Sequence, residues 1–286
     1  MLWENLREEE FDAAIERSNK VCVVPLGCLE MHGQHLPVGT DTHIAYYVAR
    51  EAAEIEPVVV FPPVYFGDVL GLYMWKGTIA FSSELLQRML TELCAEIARN
   101  GFKKILLLNV HGGNSGLLSN FLRSTAHEKK DYVVMVRGET QYTPRHLAAD
   151  IAAGVEFPTL TEEDKRYVCE FVASGKTWGH AGIHETAEEL FLAPDHCRMD
   201  RMHEVDGVSR HRTGYLAKKG IGINGPGTFW MTDHPDSYGG HHADGANARI
   251  GKVLLDRSVA LQAEAVRLLK QDDRVLQWNE EFNAKW

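Results

Sequence analysis

The stretch VCVVPLGCLEMHGQHLPVGTD, residues 21–41, joins an apolar run to a dense group of ionisable side chains. Its first six residues have the composition of a buried strand, and four potential metal ligands or proton carriers follow them: Glu30, His32, His35 and Asp41. Successive side chains of an extended chain point to opposite faces, so Glu30 and His32 leave the same face. These two side chains can therefore meet at one centre.

Three further segments have the composition of strands. The run KKILLLNV at 103–110 is almost continuously apolar, as in strands that a parallel sheet buries on both faces. Shorter strands are predicted at 57–61 (PVVVF) and 131–136 (DYVVMV). Because helical patterns lie between these strands, the sequence predicts an α/β fold: a three-layer sandwich with a mostly parallel sheet and helices on both faces.

The predicted helices include one with a complete set of signals. It covers 84–100, where Ser82 and Ser83 are cap candidates and apolar residues recur at three-to-four spacing until Gly101. Further helices are predicted at these ranges: 7–18, 43–54, 115–128, 161–173 and 246–270.

The domain organisation is expected to be simple. No internal repeat or linker divides the 286 residues, so a single domain over 1–286 is predicted. The stretch 211–245 is glycine-rich and aromatic, and it is longer than a plain connection needs, which indicates a lid or an interface arm. Specificity is expected to lie in that arm and in the loops 65–81 and 139–146.

Composition restricts the partners and the compartment. A formal net charge of −10 and a pI near 5.8 disfavour nucleic acid, which needs a clustered basic face. No apolar run approaches the roughly 20 residues that cross a bilayer, so no membrane partner is expected. The N-terminal stretch MLWENLREEEF lacks the basic-then-apolar layout of a secretory signal, and a cytoplasmic location is expected. Five scattered cysteines argue against a disulfide framework and a thiolate zinc knuckle.

The ionisable residues are expected to converge although they are distant in sequence. Ligands of open α/β sheets gather outside the carboxyl ends of the strands. Glu30, His32 and Asp41 follow the first strand, and His111 follows the strand that ends near 109. The segment WGHAGIHETAEEL at 178–190 adds His180 and Glu185. Histidines and carboxylates suit a divalent ion such as Zn²⁺, Mn²⁺ or Fe²⁺.

Three ordered motifs carry a resemblance to a known family. Residues 27–41 match Gly-x-x-Glu-x-His-Gly-x-His-Leu-Pro-x-x-Thr-Asp without a gap, residues 111–114 match His-Gly-Gly-Asn, and residues 180–186 match His-Ala-Gly-x-x-Glu-Thr. The chain resembles the creatininase (creatinine amidohydrolase) family in these motifs. The resemblance implies the corresponding α/β fold, a hydrolase with two divalent ions per subunit, and a homo-oligomer, commonly a hexamer.

The resemblance also implies a distribution of ligands. Glu30, Asp41 and His111 would hold one ion, His32 and Asp41 the other, and Asp41 would bridge the two. The creatinine-cleaving members carry a glutamate two residues after the histidine of the second motif, where this chain has Gly113. We therefore assign the open ligand place to Glu185, which could alternatively act as a base, and creatinine itself is not the expected substrate.

The remaining side chains of the site are assigned roles from their positions in the sequence. His180 is expected to donate a proton to the leaving group, with a structural histidine as the alternative. Cys28 is interpreted as a packed core thiol in preference to a nucleophile. His35 and Asn114 are expected to orient the ligands. Four residues are predicted to bind substrate: Trp75, Lys76, His241 and Asp244.

The predicted function follows from this site. Two divalent ions, Zn²⁺ foremost with Mn²⁺ or Fe²⁺ as alternatives, can lower the pKa of a shared water toward about 7 and polarise a carbonyl. The first hypothesis is hydrolysis of a C–N bond in a small polar amide or cyclic amide. The second is hydrolytic C–C ring opening of a cyclic ketone such as an oxidised inositol. The third is a metal-binding module without turnover.

Overall fold

The computed structural model describes residues 1–138, 142–221 and 228–285. Its sheet consists of strands β1 (Val21–Leu26), β2 (Val59–Val60), β3 (Lys104–Asn109) and β4 (Val133–Arg137). The strand order is β2-β1-β3-β4, and every neighbouring pair is parallel. The parallel arrangement places the carboxyl ends of β1 and β3 side by side, with Leu26 opposite Asn109.

Helices occupy most of the remaining described chain. In chain order they are α1 (Phe11–Arg17), α2 (Thr40–Ile55), α3 (Ser83–Arg99), α4 (Asn114–Ser124), α5 (Pro144–Ala152), α6 (Glu162–Ala173), α7 (Ile183–Leu192), α8 (Gly214–Ala217), α9 (Thr228–Asp233), α10 (Ala248–Gln271) and α11 (Arg274–Asn283). Short 3₁₀ turns lie at Trp3–Asn5, Glu8–Glu10, Leu70–Leu72, Thr125–His127, Pro194–His196 and Met199–Glu204. None of the helices in the described ranges is long and apolar enough to span a membrane.

The two faces of the sheet are covered by different helices. One face of β1, with Cys22 and Val24, packs in a first apolar cluster with residues of α1, α3 and α4. The opposite face, with Val21 and Val23, packs in a second cluster with residues of α2 and α10. This is the expected consequence of side chains that alternate along a strand. The three-layer prediction is therefore confirmed.

A third apolar cluster fixes the helix that carries the last sequence motif. It joins residues of α5, α6, α7 and α10, and Ile183 and Ala187 are its members on α7. A side chain at Gly251 of α10 would collide with the carbonyl oxygen of Ala187, so the two helices touch backbone to backbone. Close packing of this kind holds α7 at a fixed position beside the sheet.

Some predicted boundaries were wrong. The strand predicted at 57–61 is only two residues long, and the helix predicted at 43–54 begins at Thr40, which places Asp41 in its first turn. Helix α5 was not predicted, although Thr143 caps it and Pro144 opens it, a recognised start signal. The predicted arm at 211–245 contains α8 and α9, while its residues 222–227, like 139–141 of the loop at 139–146, lie outside the described residues.

Candidate metal centre

The loop after β1 lies directly against the start of α2. A side chain at Gly27 would collide with the backbone of Thr42, so only glycine permits this close approach. The hydroxyl of Thr42 donates to the carbonyl of Cys28 at 3.0 Å, and the amide of Glu30 donates to the carbonyl of Val38 at 3.0 Å. These contacts bring the loop that carries Glu30 next to the helical turn that carries Asp41.

The turn after β3 is held by asparagine side chains. The amide group of Asn114 donates to Asn109 Oδ1 at 2.9 Å, and Asn109 Nδ2 donates to the carbonyl of His111 at 2.8 Å. The backbone amide of Asp68 donates to Asn114 Oδ1 at 2.9 Å. Asn114 therefore connects the histidine turn to the neighbouring loop, and its role in orienting ligands stays a prediction.

The start of α7 brings in the third motif. Ala181 has a positive φ of 47°, an uncommon conformation for a residue with a side chain. Its amide donates to Glu185 Oε2 at 2.7 Å, and its carbonyl accepts from the hydroxyl of Thr186 at 3.1 Å. The ring of His35 lies 3.2 Å from the same hydroxyl, which places His35 beside this turn, and its role in orienting ligands stays a prediction. The turn thus holds Glu185 at the sheet edge.

The three segments bring six predicted residues into one cluster. His111 Nδ1 lies 3.2 Å from Glu30 Oε1 and 3.1 Å from Asp41 Oδ2. His32 Nε2 lies 3.6 Å from Asp41 Oδ1 and 3.2 Å from Glu185 Oε2. His180 Nδ1 lies 3.2 Å from Glu30 Oε1. Two donors that bind one zinc ion tetrahedrally at 2.0–2.1 Å lie about 3.3 Å apart, so these spacings suit shared cations.

Asp41 belongs to two overlapping groups of possible ligands. Its Oδ2 faces His111, and its Oδ1 faces His32. One group contains Asp41 with Glu30 and His111, and another contains it with His32 and Glu185; in each the donor atoms lie within 4.8 Å of one another. A carboxylate that offers one oxygen to each of two groups has the arrangement required of a bridge between two ions.

The three histidines of the cluster are oriented by backbone carbonyl groups. His32 Nδ1 lies 3.0 Å from the carbonyl of Glu30, His111 Nε2 lies 2.9 Å from that of Asp68, and His180 Nε2 lies 3.0 Å from that of Met31. A carbonyl only accepts hydrogen bonds, so each of these ring nitrogens is assigned the proton. The other nitrogen of each ring then presents a lone pair to the cluster, as in metal-ligating histidines.

The electrostatics of the cluster favour bound cations. Burial raises the pKa of Glu30 and Asp41, but neighbouring histidines outweigh it and hold both pKa values below their usual range. Burial lowers the pKa of His32 and His111, yet adjacent charged groups raise both. The carboxylates thus favour positive charge beside them, which a bound cation can supply in place of a proton.

One buried nitrogen of the cluster also makes no hydrogen bond, although carboxylates lie near it. His32 is fully buried, and its Nε2 finds no hydrogen-bond partner among the described residues. A buried polar nitrogen without a partner is costly. Because a cation beside Asp41 and Glu185 would remove this cost, the residues present fit a divalent metal.

An open cavity of about 890 Å³ leads to the cluster. Glu30, His111, His180 and Glu185 line its floor. All three loops that were expected to carry specificity contribute to its wall, through residues that include Leu72, Arg145 and Trp230. The cluster is therefore accessible to a small molecule.

The four predicted substrate-binding residues lie elsewhere among the described residues. Trp75 packs against an apolar cluster with Met31 and Tyr238, and Lys76 is exposed. His241 Nδ1 accepts from the amide of Thr177, and Asp244 pairs with His203. None of the four lines the cavity. Their contact with substrate stays a prediction, and the packing of Trp75 indicates support of the loop that carries His32.

One residue of the cluster was missed from the sequence. The side chain of Cys28 is fully buried, and its thiol donates to Asp41 Oδ2 at 2.9 Å. Burial raises the pKa of this thiol, and the nearby carboxylates of Asp41 and Glu30 raise it further. The sequence contained a signal for this position, because residues 28, 30 and 32 leave an extended chain on the same face.

Comparison with known proteins shows which family and which relatives this chain resembles. The family model described as creatininase, creatinine amidohydrolase, matches residues 4–266. A mycofactocin precursor peptide peptidase of Mycobacterium tuberculosis is 34% identical over 38% of this chain, and the match spans about half (47%) of that relative. A creatinine amidohydrolase of Pseudomonas putida is 24% identical over 68% of this chain and 72% of its own length. A 3-dehydro-scyllo-inosose hydrolase of Thermotoga maritima is 30% identical over 32% of this chain and 29% of its own.

Solved structures share the fold. A structure described as creatininase Mn superposes with a TM-score of 0.69 at 21% identity, covering 95% of this chain and 99% of its own. A mutant creatininase of Zn-Zn type superposes with a TM-score of 0.68 at 21% identity, covering 95% and 98%. At this level of identity the likeness establishes the three-layer architecture.

Proposed function

The chain belongs to the creatininase family, and we propose that it is a metal-dependent hydrolase that cleaves a C–N bond of a small polar amide or cyclic amide. The observation that carries the proposal is the pair of overlapping ligand groups that share Asp41 at the carboxyl ends of β1 and β3. Relatives described as a peptidase and as a creatinine amidohydrolase, both names for C–N hydrolysis, support the choice of bond.

We propose that two divalent ions occupy these groups. Glu30, Asp41 and His111 would hold the first ion, and His32, Asp41 and Glu185 would hold the second. Zn²⁺ is the first choice, with Mn²⁺ or Fe²⁺ as alternatives, because imidazole and carboxylate donors suit all three. Bound together, such ions lower the pKa of a water and polarise a substrate carbonyl. Glu185 fits the role of ligand, since its Oε2 is held 2.7 Å from the amide of Ala181.

His180 is the histidine of the cluster with the best access to substrate. Its side chain is 20% exposed, compared with 0% for His32 and 6% for His111. Its Nε2–H is engaged by the carbonyl of Met31, so only Nδ1 can exchange a proton with a bound molecule. We propose that Nδ1 carries a proton to the leaving nitrogen, with Glu30 at 3.2 Å stabilising the protonated ring.

The cavity favours a polar substrate larger than a single small ring. Its volume of about 890 Å³ falls in the upper part of the range for ligand pockets. Trp178 and Trp230 offer apolar contact, while Arg145 and Lys176 offer positive charge. These groups would fix the orientation of a substrate whose carbonyl lies over the cluster.

Hydrolytic C–C ring opening of an oxidised cyclic polyol is the second candidate. The observation that favours it is the relative described as a 3-dehydro-scyllo-inosose hydrolase. The same metal centre can activate a ketone carbonyl, and the two reactions differ in whether nitrogen or carbon leaves.

A substrate screen distinguishes these candidates. Metal-loaded protein would be incubated with cyclic amides, formamides, short peptides and keto-inositols, and a matched Glu30→Gln variant would serve as control. Release of amine, ammonia or formate by the parent alone supports C–N hydrolysis. An acyclic keto acid without nitrogen release supports C–C hydrolysis. Metal binding by the parent with no turnover of any class would favour a metal-binding module and contradict the proposal.

A further inference from the structure

The thiol of Cys28 lies in the metal cluster and not in the apolar core. Its Sγ and one donor atom from each of Glu30, Asp41 and His111 all lie within 4.8 Å of one another. Its Sγ donates a hydrogen bond to Asp41 Oδ2 at 2.9 Å. The two other fully buried cysteines pack instead in the first apolar cluster: Cys22 and Cys94. Cys28 thus differs in its surroundings from the cysteines that serve only to fill the core.

The position of this thiol is fixed by the backbone around it. The hydroxyl of Thr42 donates to the carbonyl of Cys28 at 3.0 Å. On the other side the chain at Gly67 is so close that an added Cβ would lie 3.1 Å from Cys28 Cβ and 2.9 Å from the carbonyl oxygen of Gly27. The residue therefore has little room to move, and its side chain stays within reach of Asp41 and His111.

Position 113, on the other side of the same ligand group, offers no side chain that could take the place of Cys28. Gly113 stands where the creatinine-cleaving members of the family carry glutamate. Any Cβ there would collide with the carbonyl oxygen of Asp68 and with His111 Nε2, so this backbone excludes every larger residue. The second motif therefore contributes His111 alone to this group, and Cys28 is the further side chain whose possible ligand atom lies beside Glu30, Asp41 and His111.

A second, independent observation indicates that this cluster holds cations. His32 Nε2 is fully buried, and no described residue serves it as a hydrogen-bond partner. It lies 3.2 Å from Glu185 Oε2, and 3.6 Å from Asp41, the residue that also contacts Cys28. A cation on either side of Asp41 would satisfy this nitrogen and the neighbouring donors together.

We propose that Cys28 is a thiolate ligand of the first ion, together with Glu30, Asp41 and His111. The inference rests on the metal centre of the proposed function. When the ion binds, the S–H bond breaks and the proton leaves to solvent, as in other thiolate sites. Four anionic donors then match the charge of two divalent cations: Cys28, Glu30, Asp41 and Glu185.

The thiolate makes the two ion positions unequal. Soft sulfur donors favour Zn²⁺ or Fe²⁺, whereas carboxylate and imidazole donors also accept Mn²⁺. The first position, with Cys28, therefore retains zinc in competition with manganese. The second position, formed by His32, Asp41 and Glu185, has only nitrogen and oxygen donors and exchanges more readily.

Spectroscopy of the metal-loaded full chain tests this assignment directly. Co²⁺ bound to a thiolate shows a sulfur-to-metal charge-transfer band in the near ultraviolet, and X-ray absorption of the zinc form reports a Zn–S distance of about 2.3 Å. The variants are Cys28→Ser, which replaces sulfur by oxygen, and Cys169→Ser, which removes a cysteine of α6 that belongs to no ligand group in the described residues. Circular dichroism would check that both fold.

The expected result is a sulfur signature in the parent and in Cys169→Ser, lost in Cys28→Ser. Zinc affinity of Cys28→Ser should fall by at least about tenfold, with manganese affinity changed less. Bound metal with only nitrogen and oxygen neighbours in the parent would overturn the inference and leave the proposed hydrolase intact. Absence of any bound divalent metal would overturn both. X-ray absorption on the parent decides the question even if Cys28→Ser does not fold.

Discussion

Two buried aspartates of this protein have opposite kinds of partner. Asp164, near the start of α6, accepts from Arg249 Nε and a terminal nitrogen at 2.8 Å each, from Asn247 at 2.7 Å and from the amide of Thr161 at 2.9 Å. Asp41, at the start of α2, lies only 1% exposed and meets two histidines and a thiol. The first carboxylate has a permanent cation, while the second has only partners that can lose their charge.

The pKa values of the two groups reflect this difference. The hydrogen bond from Arg249 is the main reason that the pKa of Asp164 lies below its usual range. For Asp41 burial is the largest influence and raises the pKa, and His32 and His111 must outweigh it. A buried carboxylate with a permanently charged partner inside the protein needs no further cation. A cluster of acids balanced only by titratable groups, with an orphaned nitrogen nearby, is suited to an external cation.

Replacing the shared aspartate should have the largest effect. Asp41→Asn removes a charged donor from both ligand groups, so metal affinity and hydrolysis should fall by at least about 100-fold, more than the loss of an outer partner costs. The measurement is metal content after dialysis, with turnover of the substrate found in the screen. The matched control Asp164→Asn should retain its metal. Loss of metal from both variants would contradict the claim that Asp41, and not Asp164, belongs to a metal site.

Removal of the metal should destabilise the parent selectively. At a free metal concentration 100 times Kd, bound ion stabilises the native state by about 2.7 kcal/mol, which corresponds to several degrees in Tm. Chelation followed by a thermal melt should therefore lower the Tm of the parent and leave that of Asp41→Asn nearly unchanged. An equal decrease in both proteins would indicate that the chelator acts elsewhere.

Replacing Asp164 should affect the stability of the fold and not the binding of metal. Asp164→Asn loses charge-assisted bonds to Arg249 while it keeps the size of the side chain. We expect the free energy of unfolding to fall by about 2 kcal/mol, because hydrogen bonds to charged groups contribute about 1.5–3 kcal/mol. Denaturant unfolding of the metal-free proteins measures this change. A variant as stable as the parent would show that the ion pair contributes little, as exposed pairs often do.

The smallest expected effect is the pH dependence of the stability that Asp164 contributes through its bonds to Arg249. The pKa of Asp164 is lowered in the folded state, so its contribution is complete above the unfolded pKa of about 3.9 and is lost as pH falls through the folded value. The stability difference between parent and Asp164→Asn should therefore be constant near neutral pH and narrow below about pH 4. A difference that grows on acidification would contradict the assigned sign.

The sequence predicted which residues cluster at the sheet edge better than it predicted the residues that line the cavity. Glu30, His32 and Asp41 follow a strongly apolar strand. The rule that ligands gather at the carboxyl ends of parallel strands predicts that His111 lies beside them. That rule needs only the order of strands along the chain. It held although the boundary of α2 was wrong, since Asp41 reaches the cluster from a helical turn and not from a loop.

The loops that form the cavity wall were predicted, but the side chains that enter the cavity could not be, because their directions depend on tertiary packing. Arg145 enters the cavity from α5, a helix that was not predicted, and Trp230 enters it from α9. Trp75 and Lys76 were chosen for their place in a glycine-rich loop, which does not determine the direction of a side chain. Cys28 was interpreted as core because thiols are usually buried among apolar groups. Residues 28, 30 and 32 lie on the same face of an extended chain, and this spacing was the stronger indication that Cys28 joins the cluster.

Titration of the metal-free protein with Zn²⁺ tests the central claim most directly, with bound ion and hydrolysis followed in the same sample. The overlapping groups that share Asp41 would hold two ions per chain, and hydrolysis should appear only as the ions bind. A chain that hydrolyses its substrate at full rate without any divalent metal, or that binds none, would contradict the metal centre and the function proposed from it.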